Sequence, residues 1–190
     1  MAIYTRPLRR ELDLPLTARI EARAGTRPQH AAIVTPRLLK ALSIVAIYAS
    51  SAAITARYVE TGPGTWFDAQ PKPDYVRTEW LFGQVELAVL MLLATSAWLV
   101  WRRDWPEPER RRALAMLGVQ LAIVSVWAPV LFGAHAVDLA VLLAAAMWLA
   151  SLAVLTTLAP ANVWAAMLAA PMLAWATYAI GVSVVLALNT

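Results

Sequence analysis

The sequence contains no cysteine and only two histidines, His30 and His135, which lie far apart along the chain. The absence of cysteine excludes disulfides, thiolate catalysis and any metal or haem held by cysteine. Two isolated histidines do not supply the clustered ligands that a metal site needs, and each is expected in a tail or a loop. We therefore expect no metal site and no obligatory cofactor.

Charged residues are also scarce. They make up 15% of the 190 residues, whereas 61% are hydrophobic, and a water-soluble domain needs more charge to cover its surface. Between Ala113 and Leu188 the only formally charged residue is Asp138, which is expected to cap a helix N-terminus. Apolar runs of about 20 residues cross a bilayer as helices, so this composition predicts an integral membrane protein.

Positive charge is concentrated at the N-terminus, where the first forty residues hold eight Lys and Arg against three Asp and Glu. No nucleic-acid recognition motif accompanies these residues. An anionic lipid surface or a topology signal is therefore favoured over nucleic acid as the reason for the charge. Residues 1–36 are interpreted as a basic, flexible extension that Pro36 closes.

Five segments are long and apolar enough to cross a bilayer, which predicts an all-α membrane protein with a five-helix transmembrane bundle over residues 37–190. The predicted spans are 38–58, 80–101, 113–132, 137–158 and 163–188. Trp80 and Trp101 bound the second span, where indole rings favour the interface between water and lipid. Pro160 and Asn162 separate the last two spans, because proline interrupts helices and asparagine favours turns and caps.

The segment between the first two spans, residues 62–78, is longer than a turn requires and is a candidate lid. Lys and Arg residues number thirteen on the side of the N-terminus and three on the opposite side. The excess of positive charge on cytoplasmic segments predicts a cytoplasmic N-terminus, with the lid and the C-terminus outside. Helical spans favour the bacterial cytoplasmic membrane.

Aromatic, proline and glycine residues recur in short motifs around the second, third and fifth spans. These motifs are Trp66-Phe67, Lys72-Pro73, Trp80, Phe82-Gly83, Gln120-Leu121, Trp127, Pro129, Phe132-Gly133, Pro171, Trp175, Tyr178-Ala179 and Leu188-Asn189. Their order and separations resemble those of the TspO/MBR family, also called the tryptophan-rich sensory proteins. The resemblance covers about Trp66 to Asn189 and implies a five-helix bundle whose cavity, under the first loop, binds porphyrins such as protoporphyrin IX.

The resemblance also implies a ligand-binding site, in which Trp66 and Phe67 cap a cavity walled by aromatic side chains. The expected lining residues are Trp66, Phe67, Phe82, Glu86, Leu90, Val124, Trp127, Trp175, Ala179 and Ser183. Glu86, Leu90, Val124, Met172 and Ser183 replace residues of the family pattern, so much of the pocket lining is altered. An acid such as Glu86 within a span faces a cavity, a partner or interfacial water, and it can accept a hydrogen bond from a ligand N–H.

These features favour a membrane receptor or carrier for a hydrophobic small molecule, with a porphyrin or a haem-like ring as the expected ligand. The alternatives are a carrier of another lipophile, such as a sterol, carotenoid or lipid, and a membrane scaffold subunit without a ligand. Porphyrin degradation has been proposed for family members with two tryptophans, and Glu86 stands at one of those positions, so binding is favoured over catalysis. The small residues Gly118 and Ala122 permit close helix approach, either inside one bundle or, as the family resemblance implies, between the two subunits of a homodimer.

Overall fold

The computed structural model describes residues 30–71 and 81–189, with side chains for 38–71 and 82–189. No strand occurs in these ranges. The helices are α1 (His30–Tyr58), the short α2 (Trp66–Ala69), α3 (Glu86–Arg102), α4 (Glu107–Ala128), α5 (Val137–Leu158), α6 (Val163–Ala169) and α7 (Pro171–Asn189). The π-helical turns Leu81–Val85 and Pro129–Gly133 precede α3 and follow α4.

Five helical segments are long and apolar enough to cross a membrane, which confirms the predicted all-α fold class. They are Leu38–Tyr58, Phe82–Arg102, Glu107–Gly133, Val137–Leu158 and Val163–Asn189. The first and the fourth have the bounds expected from the sequence, and the other three differ from expectation at one end or both. Trp80, expected at the start of the second span, lies outside the described residues.

The first helix begins at His30, within the segment interpreted as an extension, and Pro36 lies inside it. Proline inside a helix removes one backbone hydrogen bond, which here does not end the helix. The chain divides into two compact units at Lys40, and residues 30–40 are the described, helical part of the first. Residues 41–71 and 81–189 are the described part of the second unit, the bundle. The rest of the N-terminal extension lies outside the described residues.

Helix α4 begins at Glu107, so the charged segment expected to be a turn is largely helical. Pro106 occupies the cap position and Pro108 lies in the first turn, where a missing N–H removes no helical hydrogen bond. Glu107 bonds the guanidinium of Arg110 and lies 3.5 Å from that of Arg111. These pairs, together with an acid at the positive end of the helix dipole, favour an early helix start.

The expected cap residues have different outcomes. Asn162 caps α6, because its Oδ1 accepts a hydrogen bond of 3.3 Å from the N–H of Ala165. The expectation that Asp138 caps a helix is wrong. Helix α5 starts earlier, with the N–H of Ala140 bonded to the carbonyl of Ala136, so that Ala136 is the cap and Asp138 lies in the first turn.

Side-chain hydrogen bonds join the helices within the bundle. The Ser96 hydroxyl in α3 donates to the carbonyl of Ala165 in α6 at 2.8 Å. The Trp148 indole in α5 donates to Thr177 in α7 at 3.1 Å. Helix α5 packs mainly against α4 and α7, whereas α3 packs mainly against α6. These contacts make α5 the neighbour of both α4 and α7.

Helix α1 is the least buried of the five membrane helices. Only 17% of its most apolar 18-residue window is buried, compared with 28–44% for the other four. A side-chain bond nevertheless links α1 to α4, since the hydroxyl oxygens of Ser51 and Ser125 lie 2.5 Å apart. Loose packing of α1 leaves space beside α3.

Candidate functional site

A cavity of about 290 Å³ lies between α1 and the start of α3. Its described lining residues come from these two segments alone, and they are Ala49, Ala52, Ala53, Thr55, Ala56, Val59, Phe82, Gly83, Glu86 and Leu87. Small-molecule pockets typically occupy about 300–1,000 Å³, so this cavity is near the lower end of that range. Leu87 is 47% exposed, and Ala53 and Gly83 are also exposed, so the cavity opens on the lateral face of the bundle.

The α1 wall of the cavity is built from alanines. Ala49, Ala52, Ala53 and Ala56 follow the i, i+3, i+4, i+7 spacing that places side chains on one face of a helix. Each side chain ends at Cβ, so this face leaves room between the backbones of α1 and α3. The spacing is visible in the sequence, but these residues were not among the expected site residues.

Glu86 is the acidic residue of this cavity. It directly follows the π-helical turn Leu81–Val85, so it lies inside the second membrane helix, Phe82–Arg102, and it is only 3% exposed. Its Oε1 has no hydrogen-bond partner among the described residues. Thr55 makes a side-chain hydrogen bond with the carboxyl group, and its hydroxyl also lies 2.9 Å from the carbonyl of Ala52. The cavity therefore contains one carboxyl oxygen, Oε1, to which the described protein supplies no donor.

A cluster of aromatic side chains adjoins the cavity at Phe82. The Phe82 ring centroid lies 5.6 Å from that of Phe67, 5.4 Å from Phe132 and 6.1 Å from Trp175. These separations and the tilted or edge-to-face orientations are those that aromatic pairs prefer. Tyr178 extends the cluster, with its ring 5.6 Å from those of Phe82 and Trp175.

Trp127 joins the same cluster through Phe132, whose ring centroid is 6.2 Å away. The Trp127 indole N–H donates to the Ser183 hydroxyl at 3.2 Å, which links α4 to α7. Both residues are fully buried, so the polar group of each satisfies the other. The Trp175 indole nitrogen, by contrast, is buried without a hydrogen-bond partner among the described residues.

Trp66 lies at the periphery of this arrangement. The short helix α2 is capped by Thr65, whose hydroxyl accepts from the N–H of Asp68 at 3.3 Å. This turn presents the Trp66 ring to His135, with ring centroids 4.3 Å apart and planes 17° from parallel. The stacked pair joins the loop after α1 to the turn after α4. Residues 72–78 of the expected lid lie outside the described residues.

The structure divides the expected ligand residues into three groups. Phe82 and Glu86 line the cavity, and Phe67, Trp127 and Trp175 belong to the aromatic cluster. Leu90, Val124, Ala179 and Ser183 are fully buried within the bundle, while Trp66 is only half-buried. Gln120, quoted above as part of a motif, is also fully buried, and neither of its amide atoms has a hydrogen-bond partner in the described part of the chain.

The expected list omitted the α1 alanines, Thr55, Phe132 and Tyr178. Phe132 and Tyr178 already belong to the sequence motifs, so they would have been predicted if every motif residue had been treated as a site residue. Thr55 carries no signal beyond its place on the alanine face. Residues 38–71 and 82–189 contain no group of three or more His, Asp or Glu side chains placed to hold a metal ion.

Comparisons with known proteins agree with this architecture. The chain is 30% identical over 121 residues to a tryptophan-rich sensory protein of Cereibacter sphaeroides, a match that covers 64% of this chain and 74% of the relative. It is 27% identical over 139 residues to protein CrtK of Rhodobacter capsulatus, covering 73% of this chain and 87% of that relative. The TspO/MBR family profile matches residues 41–188, which include the cavity, the aromatic cluster and nearly all of the five membrane helices. The chain is therefore an integral membrane protein that belongs to the TspO/MBR family.

Proposed function

We propose that this protein is a membrane receptor or carrier that binds a tetrapyrrole such as protoporphyrin IX at the cavity between α1 and α3. The observation that carries the proposal is the position of Phe82, which lines the cavity and is also part of the aromatic cluster. A ligand in the cavity would meet an aromatic wall on one side and the alanine face of α1 on the other.

This lining is chemically suited to a flat, largely apolar ring. Stacking against Phe82 would add to the free energy of apolar burial, and the alanines allow a planar molecule to approach the α1 backbone. A tetrapyrrole is larger than the cavity, so its entry requires α1 to move away from α3. The low burial of α1 makes it the helix whose displacement disrupts the least packing.

A sensory role is supported by family membership and by the name of the Cereibacter relative. A ligand that occupies the cavity and displaces α1 would also change the position of the N-terminal end of α1. We further propose that the N-terminus is cytoplasmic, that the protein lies in the bacterial cytoplasmic membrane, and that it forms a homodimer through α4.

Titration of the purified full chain with protoporphyrin IX, followed by quenching of tryptophan fluorescence, tests the ligand. We expect saturable quenching. Replacement of Phe82 with leucine should weaken binding about two- to twelve-fold, because an aromatic contact contributes about 0.5–1.5 kcal/mol beyond area burial. The matched control is Trp164→Leu, since Trp164 is 70% exposed on α6 and should leave the affinity unchanged.

Quenching that does not saturate, or equal effects of Phe82→Leu and Trp164→Leu, would contradict tetrapyrrole binding at this site. The small volume of the cavity favours a second candidate, a smaller lipophile that fits without movement of α1. Mass spectrometry of ligands that co-purify with the protein distinguishes the two candidates. A protein that co-purifies with no ligand and binds none would point to the scaffold alternative.

A further inference from the structure

We propose that Glu86 makes the cavity selective for a lipophilic molecule that carries a nitrogen hydrogen-bond donor, and most strongly for an amine. This inference rests on the proposed function, because it takes the cavity between α1 and α3 as the ligand site. It adds the chemical class of the ligand group that the site recognises and names the residue that recognises it.

One hydrogen-bond acceptor in the cavity, Oε1 of Glu86, is unused by the described residues. Glu86 is 3% exposed, lines the cavity and carries an Oε1 atom without a hydrogen-bond partner among the described residues. An acidic side chain within a membrane helix is costly and is normally paired with another group. No basic residue is found among the described residues that line the cavity. A ligand that brings a donor would supply the missing partner.

Thr55 does not satisfy Oε1. It is the other polar side chain of the described lining, and it hydrogen-bonds the Glu86 carboxyl group while its hydroxyl also lies 2.9 Å from the carbonyl of Ala52. A hydroxyl has one proton to donate, and Oε1 remains without a partner among the described residues. The donor that Oε1 lacks must therefore come from outside the described lining.

The rest of the lining defines the body of the ligand. Alanine, valine, phenylalanine and leucine side chains form the described walls, and the cavity opens on the lateral face of the bundle. These walls favour an apolar molecule that arrives from the bilayer. A ligand acid would place a second carboxyl group against Glu86, whereas a plain hydrocarbon would leave Oε1 unpaired. The expected order of affinity is therefore amine, then alcohol, then acid.

A free-base tetrapyrrole supplies the required nitrogen donor if a pyrrole N–H faces Glu86 and its propionates point away from the cavity. Its acidic groups would then lie near the polar boundary of the bilayer. The proposed role of Glu86 thus predicts that the pyrrole edge of such a ring is buried. It also predicts that lipophilic amines compete with the ring for the cavity.

The test uses three probes with the same ring, namely 1-naphthylmethylamine, 1-naphthylmethanol and 1-naphthoic acid. Binding to the full chain in lipid nanodiscs is measured by equilibrium dialysis, with protein-free nanodiscs subtracted. We expect the amine to bind at least ten-fold more tightly than the alcohol, and the acid to bind most weakly. Glu86→Gln should weaken amine binding about ten-fold or more, as expected for the loss of a charge-assisted hydrogen bond, and change alcohol binding less than three-fold.

Two further variants keep the result interpretable. Glu60→Gln makes the same substitution at an exposed acid after α1 and should leave all three affinities unchanged. Ala53→Leu fills the cavity without removing the carboxyl group, so it should weaken the amine and the alcohol together and preserve their order. If Glu86→Gln does not fold, Ala53→Leu still tests whether the preferred amine occupies this cavity.

The inference is overturned if the amine binds no better than the alcohol, if its preference survives in Glu86→Gln, or if Ala53→Leu leaves amine binding intact. Protoporphyrin IX is titrated into the same preparation. Saturable porphyrin binding without an amine preference overturns the role of Glu86 and leaves the proposed function standing. An amine preference that depends on Glu86, without porphyrin binding, supports that role and overturns the tetrapyrrole proposal.

Discussion

Replacement of Glu86 with leucine should raise the free energy of unfolding of the ligand-free protein by about 1–3 kcal/mol, the cost of a buried polar group without a partner. Most substitutions of buried residues destabilise a protein, so an increase is a demanding expectation. It follows from the position of the carboxyl group, which is 3% exposed with Oε1 unpaired among the described residues.

The structure also indicates that the substitution leaves no new unsatisfied group. Thr55 keeps its bond to the Ala52 carbonyl when the carboxyl group is removed. Leucine is similar in size to glutamate, and the neighbouring Phe82 and Leu90 are fully buried apolar residues. The expected gain is therefore close to the full desolvation cost of the carboxyl oxygen that is released.

Reversible unfolding in mixed detergent micelles measures the change, with Glu60→Leu as the control at an exposed acid. The control should shift the free energy of unfolding by no more than about 0.5 kcal/mol, as is usual for surface positions. A loss of 1 kcal/mol or more in Glu86→Leu would refute the reasoning, because it would show that the carboxyl group has a stabilising partner. The stabilised variant should also lose the amine preference, as expected where function requires a strained residue.

Three other predictions concern the bundle, its association and its orientation. In a double-mutant cycle of Trp127→Phe and Ser183→Ala, we expect a coupling energy of about 0.6–1.7 kcal/mol for the buried hydrogen bond between them, and additivity would contradict a role for that bond. Gly118→Leu, at an exposed position of α4, should reduce the dimer fraction measured by light scattering, whereas the control Ala174→Leu on α7 should not. Equal effects of the two substitutions would reject the α4 interface. A C-terminal reporter should be active only outside the cytoplasm, and cytoplasmic activity would reject the predicted orientation.

The number of spans and the fourth span could be read from the sequence because both depend on hydropathy alone. A bilayer requires about 20 apolar residues per helix, and a run such as 137–158, whose only charged residue is Asp138 near one end, has few alternatives. Helix ends depend on local chemistry instead. The start of α4 at Glu107 rests on proline in the first turn and on pairs with Arg110 and Arg111, in a segment whose charge alone suggests a turn.

The candidate site was predictable in part. The aromatic cluster could be predicted from the motifs. Tryptophan and phenylalanine residues at these separations lie inside the bundle when a chain has the family fold. The cavity itself does not follow from them. It depends on how closely α1 approaches α3, and that distance is set by Ala49, Ala52, Ala53 and Ala56. Site residues are normally recognised by polar, charged or aromatic side chains, which alanine lacks.

Glu86 gives this arrangement its chemical character, and Phe82 connects it to the rest of the bundle. A small ligand can contact both residues while Phe82 keeps its contacts with Phe67, Phe132 and Trp175. A planar macrocycle requires more than the 290 Å³ present, and the space must come from α1, because movement of Phe82 would break several ring contacts at once. Under the proposed function, ligand size would determine whether α1 moves, and Glu86 would determine which polar group of the ligand enters first. A receptor for a large ring and a carrier for a small amine would then differ in the response of α1 and share the same recognition residue.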